Sequence, residues 1–333
     1  MKKLFVILLA VAMTLSLAVV ASAATFSPYV GGEFQLTYAS NGDTAPFNLN
    51  NGSLSMMKAY VQGRVDDEAT NTWAQIGAKM TCWGVGGWDI LYSAGIKKVG
   101  GILDIQFSTD DYETTLRGQT PLYQGGVAKF GGDPYFTNRL QNSFGFDVNT
   151  DNVTVNIGTT AGIGYFDDNP LPNTKHVVNE LGKQIVVAGT FKFDAGKAYV
   201  GYAKLSDTNS NMIVGAEMKL GFGTVKADYY MVNTGSSSST FQAGVSLDEA
   251  KLAATLMYDM KQWNPTADST IGVGVEYSGV DKLTLGVKYF NLTDASYEVY
   301  GVYKYGIFDI RPGYAKVGTD DGFFYLALHA GMW

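Results

Sequence analysis

The chain has 333 residues, 46% hydrophobic and 17% charged, with a formal net charge of −7. The acidic balance argues against nucleic acid as a partner, and a single cysteine, Cys82, excludes an internal disulfide framework. Forty glycines and 21 tyrosines against 8 prolines favour many strands and turns, and exclude a collagen-like or Pro-rich disordered chain.

The first residues read as an export leader. Met1-Lys2-Lys3 is basic, Leu4 to Val20 is apolar apart from Thr14 and Ser16, and Ala21-Ser22-Ala23 is a small-x-small cleavage site. Residues 1–23 are therefore expected to be a cleaved signal peptide, and 24–333 the mature domain. No Cys follows the cleavage site, so a lipid anchor is not expected. No later apolar run approaches the roughly 20 residues of a transmembrane helix.

From Val30 onward the dominant signal is alternation with period 2. Val30, Phe34, Leu36 and Tyr38 oppose Glu33, Gln35 and Thr37. Met57, Ala59, Val61 and Val65 oppose Lys58, Tyr60, Gln62 and Arg64. Ala74, Ile76, Ala78, Met80 and Cys82 oppose Gln75, Lys79 and Thr81, which makes Cys82 an apolar wall residue rather than a reactive thiol. Trp88 to Ile96 and Leu103 to Phe107 follow. The pattern resumes at Phe144 and runs to Met332 in short segments. The parity of one of them, Ala198 to Leu205, is ambiguous. Eighteen segments are read in all. Segment ends taken from alternation shift by roughly 2 to 4 residues, so sixteen strands stay open as an alternative.

The connections alternate between tight turns (Asp66 to Asn71, Lys97 to Gly101, Asn149 to Asn152, Gly221 to Gly223) and mostly longer stretches (Ala39 to Leu54, Thr109 to Leu140, Phe166 to Lys183). Short turns at one end and longer loops at the other are the mark of a transmembrane antiparallel β-barrel. In hydrocarbon every backbone polar group must be paired, so spanning strands have to close into a ring. A soluble sandwich also alternates. Against it stand segments of about 9 to 11 residues, the length of a tilted span, and an opposite face rich in Gly, Gln, Thr and Lys. Tyr38, Trp73, Trp88, Tyr277 and Tyr289 lie near segment ends, where interfacial girdles form.

The segment from Thr109 to Leu140 is the exception. It shows no strand-like alternation and exceeds the ~15 residues a compact domain allows without functional cause. It carries Asp110, Asp111, Glu113 and Asp133 together with Arg117, Lys129 and Arg139. Folded inward, these charges would narrow the lumen and bias ion passage. Glu33, Lys58, Arg64 and Lys79 would line the facing wall, and opposing acidic and basic clusters would set up a transverse field.

With its leader, its acidic mature chain, its aromatic C-terminus at Trp333 and its long connection after the fifth strand, the chain resembles the general porins of Gram-negative outer membranes. Phe130-Gly131-Gly132-Asp133 is similar to the Phe-Gly-Gly-Asp of the family's inward-folded third loop. Lys129 stands where the family motif has Glu, which leaves the sign of charge selectivity open. The resemblance implies passive diffusion of ions and small hydrophilic solutes across the outer membrane. It also implies contact with outer-membrane lipid, assembly through the barrel-assembly machinery with Trp333 as its signal, and a homotrimer. The short connection Trp83 to Gly87 lacks the length for the usual trimer latch. A substrate-selective sugar or oligosaccharide channel, with Tyr60, Tyr230, Phe290 and Tyr300 as stacking candidates, is one alternative. A structural or adhesive surface barrel is the other.

No enzyme and no cofactor are expected. His176 and His329 lack a flanking acid–base motif. Asp167-Asp168 and Asp320-Asp321 lack EF-hand-like spacing for Ca²⁺ and read as solvated loop tips.

Overall fold

The computed structural model describes residues 24–39, 53–82, 86–113, 139–161, 182–234, 237–260, 270–291, 295–316, 318–319 and 321–332. Among them every regular element is a strand. In chain order these are β1 (Thr25–Ala39), β2 (Ser53–Asp67), β3 (Thr72–Cys82), β4 (Gly86–Val99), β5 (Leu103–Glu113), β6 (Arg139–Asn149), β7 (Val153–Thr160), β8 (Ile185–Phe193) and β9 (Gly196–Lys204). The second half has β10 (Asn209–Leu220), β11 (Gly223–Thr234), β12 (Ser237–Leu247), β13 (Leu252–Met260), β14 (Thr270–Val280), β15 (Leu283–Asn291), β16 (Ala295–Tyr305), β17 (Phe308–Lys316) and β18 (Phe323–Met332). No helix among the described residues is long and apolar enough to cross a membrane, which has no bearing on crossing by strands.

Each strand pairs antiparallel with the next, and β1 also pairs with β18, from Gly32 opposite Met332 to Ala39 opposite Tyr325. The eighteen strands therefore form a closed ring with no free edge, which removes the unpaired N–H and C=O groups that an open sheet would present. The expected strand number is the one found.

Period-2 alternation sorts the side chains to the two faces of this ring. The outer face carries Val61, Ile90, Tyr92, Val187, Val200, Val214, Leu256, Val287 and Leu326, all solvent-exposed in the isolated chain. The inner face carries Gln62, Asn156, Gln242, Thr255, Lys288 and Glu298 at the alternate positions. An apolar exterior around a polar interior reverses the order of a soluble domain. The ambiguous segment is settled by register: Tyr199, Gly201 and Ala203 of β9 point inward, while Val200 and Tyr202 point outward.

The two rims differ. At one, consecutive strands join through tight turns, with left-handed backbone at Asn71, Lys98, Lys251 and Lys282 and at Gly100, Gly101 and Gly306. This is called the turn rim. The longer connections all lie at the other, the loop rim. There the outward rings of Tyr297, Tyr314 and Phe324 stack side by side, Tyr314 and Phe324 with centroids 4.9 Å apart. Trp73, expected in such a girdle, is instead an inner-face residue, because its register partner is the inward Asp66.

Candidate functional site

The interior is the only face on which polar and charged groups converge from every side among the described residues, so it is the candidate site. Its wall is built by one recurring arrangement. Tyr199 on β9 lies over its register partner Gly215 on β10, and its hydroxyl donates to Asp228 on β11. Tyr300 on β16 lies over Gly286 on β15 and donates to Glu276 on β14. Tyr325 on β18 lies over Gly313 on β17 and donates to Glu298 on β16. A Cβ at any of these glycines would run into the tyrosine ring. The missing side chain is what lets the ring lie flat along the wall, and the flat ring carries its hydroxyl to the carboxylate one strand further on.

Two apolar versions accompany these. Phe290 lies over Gly272, and Trp73 over Gly95. Above Trp73 sits the Arg64 guanidinium, 4.3 Å from the ring centroid, within the range of a cation–π contact. Arg64 also donates to Asp66 through Nε at 2.7 Å, and Lys97 reaches the same carboxylate at 2.8 Å. Arg64 thus lies on the inner face, held between the Trp73 ring and the Asp66 carboxylate.

Several charges on the described inner wall are paired locally. Lys288 meets Glu298 at 3.2 Å with both side chains almost fully buried, 7% and 0% exposed. Lys197 meets Glu217 at 3.3 Å, Lys226 meets Asp228 at 3.5 Å, and Arg311 meets Asp309 at 3.2 Å. His329 joins the last pair, with Nδ1 3.7 Å from Asp309 and Arg311 within 3.3 Å. No group of His, Cys, Asp and Glu side chains among the described residues is placed to hold a metal.

Burial changes along the barrel axis. Toward the loop rim the inward residues Val186, Ala188, Ala203, Ile213, Met257, Ser296, Phe323 and Ala327 are all buried. Toward the turn rim the same strands end inward on Lys192, Lys219 and Lys304, which are exposed. Inward residues of the loop half are therefore covered (the filled half), whereas the turn half is open at its lysine-bearing rim, with Thr154 and Val302 still buried beside it (the open half).

The root of the long connection belongs to the filled half. The ladder between β5 and β6 shifts register between Ser108 and Asp111, at a bulge. Beyond it Asp111 pairs with Gln141, and Glu113 with Arg139. Asp110, Asp111 and Glu113 are consequently strand residues, not loop residues. The bulge inserts a residue and breaks the alternation by which a strand is recognised. On β6, Ser143 Oγ donates to the Leu140 carbonyl at 2.8 Å. Leu140 should share the outer face with Phe144 by parity. Instead it is 2% exposed and packs with the inward Val186, Ala188, Tyr199, Ala203, Ile213 and Tyr230. The hairpin end turns into the barrel, onto the wall of β8–β11.

The remaining expected site residues are placed as follows. Glu33 stands in register opposite Lys58, and Lys79 opposite Tyr60. Arg117, Lys129, Phe130, Gly131, Gly132, Asp133 and Trp333 lie outside the described residues. The stacking candidates Tyr230, Phe290 and Tyr300 are inward and buried. Sequence reasoning did not single out Tyr199, Tyr325 or their glycines. The signal is an inward glycine directly across from an inward aromatic, and it needs the register.

No protein-family model and no curated protein sequence matches the chain. Solved structures do. A triple mutant of a Rhodopseudomonas blastica porin superposes with a TM-score of 0.54 at 10% identity, covering 92% of this chain and 100% of that one. A second mutant of that porin gives 0.53 at 9% identity over the same shares. The fold is a porin-like β-barrel. At such identity the likeness establishes the architecture of the porin-like wall and nothing of its solutes.

Proposed function

We propose that this barrel is a water-filled channel in the outer membrane of a Gram-negative-type bacterium, passing ions and small hydrophilic solutes by diffusion. The observation that carries the reading is the closed ring of eighteen strands with an apolar exterior and a polar, charged interior. Barrels of 16 to 18 strands enclose an aqueous lumen. The paired charges and flat tyrosines keep that wall rigid, and the filled loop half is the constriction. Leu140, turned onto the β8–β11 wall, supports an inward course for the segment that follows Glu113, with Asp133, Lys129 and Arg117 as its charged contribution. The tyrosine hydroxyls are bound to carboxylates of the wall, which speaks for general diffusion over a sugar-stacking ladder. Export by residues 1–23, assembly through the C-terminal strand and trimerisation belong to the same proposal.

The test is single-channel recording of the refolded chain in planar bilayers. Stepwise, ohmic conductance insensitive to added sugars is expected. Deleting Gln119 to Asp133 should raise conductance and weaken ion selectivity. Saturable block by an oligosaccharide would move the reading to a selective channel. Absence of conductance in both the wild type and the deletion would make the chain a structural barrel.

A further inference from the structure

We infer that the inner face of β8–β11 at the turn rim is a docking patch for small multivalent anions of the phosphate class. The inference rests on the interior being water-filled. Register places Lys192, Lys197, Glu217 and Lys226 in one row across four adjacent strands. Lys219 follows Glu217 on the same inward face of β10. Neighbouring strands are about 4.7–4.9 Å apart, so the row extends over roughly 14 Å, and the long lysine stems allow adjacent ammonium groups to converge on one short polyphosphate.

Lys192 stands directly opposite Lys197, and like charges in that position repel. The carboxylates at hand do not absorb the excess. Glu217 is 3.3 Å from Lys197. Asp228, 3.5 Å from Lys226, already accepts from the Tyr199 hydroxyl and from Gln242 at 3.0 Å. The remaining acids nearby, Asp151, Asp194 and Asp248, are exposed in the turns beside the row and not on its inner face. Among the described residues no ion pair involves the Lys192 or Lys219 side chains, and both are exposed. Elsewhere on the wall, Asp66, Glu276, Glu298 and Asp309 each hold a wall partner. On the inner face of this row four lysines thus meet two carboxylates, Glu217 and Asp228, and its local charge is positive, although the chain as a whole is acidic and Asp104 and Asp147 stand opposite each other on the β5–β6 wall.

Ammonium groups on flexible stems bind phosphate oxygens as point charges without fixed geometry. A row of them favours a ligand that carries several charges at once. The lumen position separates the patch from lipid headgroups, so the ligand class is free phosphate and its condensed forms.

The probe is sodium tripolyphosphate. Calorimetry on the detergent-refolded barrel should show binding that weakens as KCl rises, because such contacts are screened. The double variant Lys192→Gln with Lys219→Gln should bind roughly tenfold more weakly, the loss expected for two partly exposed contacts of this kind. Lys251→Gln with Lys282→Gln removes equal charge from the turns outside the lumen and should leave binding unchanged. In bilayers, tripolyphosphate should reduce the open current of the wild type and spare the Lys192/Lys219 variant at the same concentration. Equal binding by the wild type and that variant, or an equal loss in the turn variant, would overturn the patch. Absence of current with salt-sensitive binding retained would overturn the channel reading and leave the patch standing.

Discussion

The loop half and the turn half of the interior are built from the same strands, yet they treat charge in opposite ways. In the loop half Lys288 and Glu298 are sealed from solvent and bound to each other. In the turn half Lys197 and Glu217 make a similar contact at 3.3 Å but remain 38% and 25% exposed. The residue types and separations match, so what differs is water. A buried pair has surrendered hydration and depends on its partner, whereas an exposed pair has water as a substitute. The filled half should therefore be energetically rigid, and the open half free to present charge to solutes.

The sharpest way to break this comparison is to remove the lysine from each pair. Lys288→Met leaves the buried Glu298 carboxylate without its cation and should cost about 3–5 kcal/mol in urea unfolding of the refolded barrel. Lys197→Met should cost no more than about 1 kcal/mol. Equal costs would show that the two halves are equally hydrated. A smaller effect is expected at Gly313. An alanine there drives the Tyr325 ring off the wall and away from Glu298, at a cost of about 1–3 kcal/mol. The displaced ring would enter the lumen, so unitary conductance should also fall. If conductance and stability are both unchanged, the flat-ring arrangement does not shape the pore. The smallest effect belongs to the turn rim itself. Lys282 holds φ at 59°, and Lys282→Gly exchanges left-handed strain for chain entropy, a net gain of roughly 0.5 kcal/mol in the same unfolding assay.

Much of the wall was legible from alternation alone, because a membrane-spanning strand repeats its two-faced pattern without relief. Every segment from Val30 to Met332 became a strand, and Arg64 faced inward as its parity required. Legibility failed where local geometry departs from period 2. The bulge after Ser108 hid the last residues of β5, and Leu140 is buried with the inward residues against its parity. On β9 both faces are partly apolar, since the inward Tyr199 looks like an outer residue until its hydroxyl is traced to Asp228. The tyrosine–glycine–carboxylate sets were invisible for a different reason. Their members lie on three strands, and only the register brings Tyr325, Gly313 and Glu298 together.

The seam between β1 and β18 has a consequence for how the molecule comes into being. It joins Gly32 to Met332, nearly the whole length of the chain apart. Contacts of such long range form slowly, since the entropy of closing the intervening loop must be met before they contribute. Every other neighbour in the ring is joined by a hairpin and can zip from its own turn. The ring must therefore close last, when the C-terminal strand arrives. Until then β1 and the growing end are two unpaired edges, open to pairing with the wrong chain. A chain stopped before Phe323 would keep its hairpins and lose its closure, and should populate sheet aggregates instead of a barrel.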